Sequence, residues 1–359
     1  MRMIRPTLSF PWLLLLPAAA VMAQQPALRG LDPVALCKGQ EQPGKPELAL
    51  QHGAYRYQFA SADQQALFTK DPERYEIQLG GACARMGPLS GTGDAQRWLV
   101  HKERIYIFAS DQCREGFRKR HDAFLAIDEP APTDAAALAA GKALVERAAL
   151  GHGGAERLRA WRSYRHERSA KNGDTTDLRR TWLQLPATAR FDHDYTQGDK
   201  TWRYANVLTP ATTFSLANDK GKLLGKDAAH ELQFELFGEP LVALRLVLAG
   251  DALAVPAGTR EVGGVAVEEF TVWYHQRTIT FGIGQDGRVR TARCRGRGPG
   301  LWFATLERVY DDFQEHGGLH VPTSVRVLFD GQDVPAMHER REKIVVDGEL
   351  PDGLFTAPK

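Results

Sequence analysis

Aromatic residues alternate with polar ones in two short stretches near the front of the chain, and each stretch ends at a serine followed by an amphipathic run. The two stretches are copies. A shift of 49 residues places Tyr57, Phe59, Ala60, Ser61, Phe68 and Lys70 on Tyr106, Phe108, Ala109, Ser110, Phe117 and Lys119, and Tyr75 on Phe124. Period-two alternation, a serine N-cap and a helical period predict a strand and a helix in each copy. Residues 128–133, rich in proline and acid, read as a break, and an alanine-rich helix follows over 134–149, capped by Thr133 and ended by Gly151, Gly153 and Gly154. A short helix over 155–160 leads into a half that is mostly strand. Phe191, His193 and Tyr195 alternate with Asp192 and Asp194, and Val325 to Phe329 is a β-branched run. Between Val265 and Tyr274 the apolar phase moves from odd to even positions, which predicts an inserted residue, a bulge, near Glu268 and Glu269. One helical interlude, 228–248, interrupts the strands.

Two families are resembled. Tyr55-Arg56-Tyr57-Gln58-Phe59-Ala60-Ser61, with Phe68, Pro72 and Tyr75, is similar to the YHS domain; Gly30-Leu31-Asp32-Pro33-Val34-Ala35 resembles its opening, and Gly80-Gly81-Ala82-Cys83-Ala84 its glycine and cysteine signature. The resemblance covers about residues 29 to 125 and implies soft-metal binding. Ala60 and Gln64 stand where the first copy would carry metal-type cysteines, and only Cys113 remains of that pair in the second. Residues 150–359 resemble the curved half-barrel of periplasmic lipoprotein carriers, through Gly153-Gly154-Ala155-Glu156-Arg157-Leu158, Gly317-Gly318-Leu319-His320-Val321-Pro322 and Leu350-Pro351-Asp352-Gly353-Leu354-Phe355. That resemblance implies a sheet wrapped over a helix and a lipid-like ligand, unless the helix itself fills the concave face.

Composition adds an address. Met1-Arg2-Met3-Ile4-Arg5 is a basic start, Leu13 to Val21 an apolar core, and Val21-Met22-Ala23 a small-residue cleavage site, so a secretory leader cleaved after Ala23 is expected, placing the mature protein in the periplasm or outside the cell. Disulfides persist there. The formal net charge of +2 selects no polyanionic partner, and nucleic acid is not indicated. The expected organisation is α+β: a leader (1–23), a YHS-like domain of two strand-helix units (24–127), a linker and helix (128–152), and an antiparallel curved half-barrel around a helix (153–359).

The candidate chemistry centres on the loop Leu79 to Gly93, which holds five glycines, Cys83 and Met86. With Ser110 as N-cap, Cys113 is the third residue of a helix, where first-turn amides favour a thiolate. Three readings stay open: a disulfide between Cys83 and Cys113, a copper-type metal or redox site of Cys83, Met86 and Cys113, and inert buried thiols. Cys294 could be free or paired with Cys37. The loop lacks both the phosphate-binding lysine order and the nucleophile elbow. His316 and His320, separated by Gly317-Gly318, predict a hairpin rather than a zinc site. Arg288, Arg290, Arg293, Arg295 and Arg297 form a basic run whose sharper reading is contact with anionic lipid headgroups. No triad or paired carboxylates stand out, so a non-catalytic binding protein for soft metal or a hydrophobic ligand is expected, with thiol redox or a purely structural, disulfide-stapled role as alternatives.

Overall fold

The computed structural model describes residues 25–218, 220–298 and 302–357. The expected leader lies outside them. Among the described residues, no helix is long and apolar enough to cross a membrane.

The first domain is a duplication in three dimensions. After α1 (Pro33–Cys37), the chain forms β1 (Lys45–His52), β2 (Tyr55–Phe59), α2 (Ala62–Lys70) and α3 (Pro72–Tyr75), then β3 (Asp94–His101), β4 (Arg104–Phe108) and α4 (Asp111–Lys119). The hairpins β1-β2 and β3-β4 and the helices α2 and α4 correspond residue for residue at the shift of 49, down to register breaks at Lys45/Ala49 and Asp94/Trp98. Each unit is therefore hairpin-helix; its leading strand lacks the alternating aromatics that mark the second strand. The caps match too: Ser61 Oγ accepts from the Gln64 amide (3.3 Å), and Ser110 Oγ from the Cys113 amide (3.2 Å). Phe68 packs 5.0 Å from Tyr57 and 5.3 Å from Phe59, and Phe117 packs 5.4 Å from Tyr106 and 5.2 Å from Phe108. Burying each phenylalanine fully contributes about 2–3 kcal/mol.

The second domain begins with α5 (Ala135–Gly151) and α6 (Ala155–Ala160). A first antiparallel meander follows: β5 (Ser163–Asn172), β6 (Thr175–Gln184), β7 (Thr188–Gln197), β8 (Lys200–Leu208), β9 (Thr213–Ala217) and β10 (Lys220–Leu223). Then come α7 (Lys226–Phe237) and α8 (Pro240–Ala249). A second meander comprises β11 (Leu253–Val262), β12 (Val265–Tyr274), β13 (Arg277–Ile283), β14 (Val289–Arg297), β15 (Phe303–His316), β16 (Leu319–Phe329) and β17 (Gln332–Asp333). The last strands, β18 (Glu339–Arg340) and β19 (Glu342–Val346), join the two sheets, β18 pairing with β16 and β19 with β5. Both sheets, α5, α6, α7 and α8 feed a single apolar core. Helix α8 is apolar nearly all round and buried over Pro240 to Leu244 and Leu246 to Leu248, so the half-barrel fills much of its concave face with its own helix. Gly141 lets α5 cross β11 closely, since a Cβ there would meet the Ala254 carbonyl at 2.1 Å.

Several expectations are corrected. Asp134 rather than Thr133 caps α5, its carboxylate accepting from the Ala137 amide at 2.7 Å. The helical interlude is two helices, because Gly238 and Pro240 interrupt it. The bulge lies opposite the expected place, between Pro256 and Gly258 in β11, while β12 pairs with β13 without a break. Its phase change arises because Val267 and Glu269 on one face and Phe270 and Val272 on the other are all buried. Cys37 and Cys294 sit in separate cores and are free thiols, pushed up to about 12 and about 11 by burial. As expected, His316 and His320 flank a hairpin turn through Gly317 and Gly318, both at positive φ.

Candidate functional site

The loop between the two units of the first domain reaches into the second. It opens with Leu79, Gly80 and Gly81, all at positive φ, and repeats the left-handed turn of Leu28, Arg29 and Gly30. From there the copies run in parallel: the amides of Asp32 and Cys83 donate to Gln42 O and Gly91 O, and Gly44 and Gly93 donate to Gly30 O and Gly81 O. Asp32 and Cys83 therefore occupy equivalent places. Asp32 is fully buried, and its carboxylate accepts from the amides of Val34 (2.8 Å), Ala35 (3.0 Å) and Ala60 (2.7 Å). The Cys83 sulfur accepts from the corresponding amides of Arg85, Met86 and Ala109.

Cys83 and Cys113 are brought together as free thiols. Burial pushes the Cys83 thiol up, although its three amides pull the other way. Burial acts the same way on Cys113, but the Ser110 hydroxyl, the Arg85 side chain and Cys83 outweigh it and hold that thiol below its ordinary value. Met86 packs against the same apolar cluster that holds Cys83 and Cys113, and its thioether also faces Gly91 and lines an interdomain cavity. Among the described residues no cluster of three or more His, Cys, Asp or Glu is placed to hold a metal ion.

The tip of the loop, Met86 to Ser90, plugs the mouth of the half-barrel. Gly87, at φ +88°, lies against the Arg297 guanidinium, and a Cβ there would come within 2.9 Å of it. Leu89 packs against the half-barrel core. Beneath the plug is a cavity of about 210 Å3 lined by Met86, Pro88, Phe234, Ile279, Phe303 and Leu306, with Arg308 and Glu235 at one end. Leu89, Glu235, Gly238 and Arg308 also line a second cavity of about 340 Å3, whose wall is charged: His166, Arg168, Glu239, Glu339 and Arg341.

The charges of the second cavity are unevenly satisfied. Arg341 binds Glu239 through two bonds, 2.9 and 3.0 Å, and approaches Glu339 at 3.4 Å; Arg168 lies 3.1 Å from Glu339. Burial would raise the Glu339 carboxyl, but Arg341 and Arg168 overcome this and hold it at about 2. Burial, helped by Arg341, pushes His166 down to about 4, so it is neutral at physiological pH. Arg308, on the border of the two cavities, meets its carboxylate partner, Glu235, only at 4.0 Å. Loss of hydration in the crowded cavity pushes the Glu235 carboxyl up against the pull of Arg308, although its side chain stays 56% exposed. The sequence did signal this wall. Tyr164, His166 and Arg168 on β5, and Leu306, Arg308 and Tyr310 on β15, place cations in period two with buried apolar and aromatic residues, a pattern the basic run of β14 overshadowed.

The five arginines expected at a membrane surface are engaged within the chain. Arg290 lies 2.7 Å from Asp286 and Arg293 3.1 Å from Glu269; Arg288 and Arg290 stack on Phe313. Arg295 donates to the Asp122 carbonyl, and Arg297 to Phe124 O at 3.0 Å. This end of the run therefore joins the domains, together with Lys226 to Glu73 (2.7 Å) and Lys222 to Thr92 (2.7 Å).

No family model matches the chain, and no curated protein matches it. Among solved structures it is similar to a DUF1329 family protein from Desulfovibrio piger, at 10% identity and TM-score 0.40, covering 62% of this chain and 98% of that one. A domain described as that of an outer membrane lipoprotein-sorting protein from Vibrio parahaemolyticus gives 8% identity and TM-score 0.39, covering 61% and 97%. A LolA superfamily protein from Nitrosomonas europaea gives 13% and 0.32, covering 60% and 97%. Scores this low carry no argument about function, which rests on the geometry above.

Proposed function

We propose that this is a non-catalytic binding protein of the periplasm or cell exterior whose ligand is an amphiphilic anion held where the two cavities meet. The apolar part lies against Phe234, Ile279, Phe303 and Leu306, beneath Met86 and Leu89. The anionic head meets Arg308. The observation that carries this reading is the position of Arg308, which lines both the apolar and the charged cavity and has its carboxylate neighbour at 4.0 Å, whereas Arg341 beside it is bound by two bonds of 3.0 Å or less. A guanidinium with spare donors at the edge of an apolar space suits a carboxylate, sulfonate or phosphate head. Glu235 does not forbid an anion there, since its side chain is 56% exposed, lies no nearer than 4.0 Å to Arg308 and can turn to solvent.

The test uses 1-anilinonaphthalene-8-sulfonate, an apolar anion whose fluorescence rises on entering a dry site. The wild-type protein should bind about one equivalent, and Arg308→Gln should weaken binding at least tenfold while keeping its cooperative unfolding. Equal binding by a folded Arg308→Gln variant would overturn the assignment.

A further inference from the structure

The duplication gives Cys83 a role that its own surroundings alone would not suggest. In the first unit the cradle of three amides holds an ionised group, the Asp32 carboxylate, and the residue at the Cys113 position is Gln64, whose amide meets the same serine cap. In the second unit both positions are sulfur, and every donor is retained: the amides of Arg85, Met86 and Ala109 around Cys83, and Ser110 and Arg85 around Cys113. A cradle that serves a carboxylate in one copy can serve a thiolate in the other. Arg85 stands in the second unit where Val34 stands in the first, so a cation is added where the sulfurs are.

We propose that Cys113 and Cys83 form an exchange-active dithiol, with Cys113 the attacking thiolate and Cys83 the resolving thiol. Cys113 is the more accessible, 9% exposed against 0% for Cys83, and it sits in the first turn of a nine-residue helix with its sulfur beside Arg85. The Cys113 thiolate attacks a disulfide R–S–S–R, forming a Cys113–S–S–R bond and releasing one R–S⁻. Cys83 then gives its proton to the departing R–S⁻, its thiolate held by the three amides, and attacks the Cys113 sulfur, expelling the second R–S⁻. Two protein thiols are oxidised by two electrons and the external disulfide is reduced to two thiols. Cys37 and Cys294 take no part, because burial keeps both protonated.

The experiment equilibrates the reduced full-length protein with oxidised glutathione and maps the products by mass spectrometry. Wild type should release two glutathione thiols per chain and carry a Cys83–Cys113 disulfide. Cys83→Ser should stop at a stable mixed disulfide on Cys113, and Arg85→Gln should slow the first step roughly tenfold. Unreacted wild-type protein, or a Cys83→Ser variant with no adduct on Cys113, would overturn the proposal. The wild-type result alone decides it should a variant misfold.

Discussion

Arg341 and Glu239 are joined by two parallel hydrogen bonds, 2.9 and 3.0 Å, that tie the closing segment of the half-barrel to the start of α8. The guanidinium is almost wholly enclosed, and a charge left there without its partner is costly. Glu239→Gln should therefore destabilise the protein by about 3 kcal/mol in chemical denaturation, and Glu239→Leu with Arg341→Met should recover most of that loss. A Glu239→Gln protein as stable as wild type would show that the pair does not hold the helix.

Acid should begin to weaken the fold through two buried histidines, above the range of an ordinary carboxylate. His152 donates through Nδ1 to His320 O (2.6 Å) and accepts at Nε2 from the Val289 amide (2.9 Å), so it is buried and neutral. Burial pushes it down to about 4 from an ordinary value near 6.5. Between those values the unfolded chain takes up a proton that the folded protein refuses. Stability is accordingly full above about pH 6.5 and falls by roughly 1.4 kcal/mol per pH unit toward pH 4. His166 acts in the same direction. Denaturation at pH 7, 6 and 5 should show this slope, and His152→Gln, though weaker at pH 7, should show a slope shallower by one proton.

The cradle of Asp32 can be weighed against an ordinary cap. Ser61→Ala removes one accepted bond and should cost about 1 kcal/mol. Asp32→Ala strands three amides in a buried place and should cost at least twice that. Equal losses in thermal melts would mean that the cradle is relaxed by water.

The plug should depend on its glycine. Gly87→Ala puts a side chain at φ +88° and against Arg297, so the loop must shift. We expect a loss of about 1–3 kcal/mol and faster proteolysis between Met86 and Ser90. Cleavage no faster than wild type would place the plug's hold elsewhere.

The duplication was legible because Tyr57, Phe59, Ser61 and Phe68 and their counterparts lie at one constant shift. The equivalence of Asp32 and Cys83 was not. Their separation is 51 residues, since the segment from Cys83 to Thr92 is two residues shorter than that from Asp32 to Pro43, and a fixed shift passes over it. Periodicity found the strands of the second domain but misplaced the bulge, because Glu269 is buried between Arg260 of β11 and Arg293 of β14, which one strand's pattern cannot report. The Arg308 site was missed for a similar reason. It assembles β5, β15, α7 and a loop of the other domain, segments far apart along the chain.

Titration calorimetry with two ligands of equal chain and opposite head, decanoate and decyltrimethylammonium, tests the binding reading most directly. Decanoate should bind at least tenfold more tightly to wild type, and that preference should vanish in Arg308→Gln while the fold persists. Equal affinity for the two heads, or a preference for decanoate that survives Arg308→Gln, would contradict the assignment of this cavity to an amphiphilic anion.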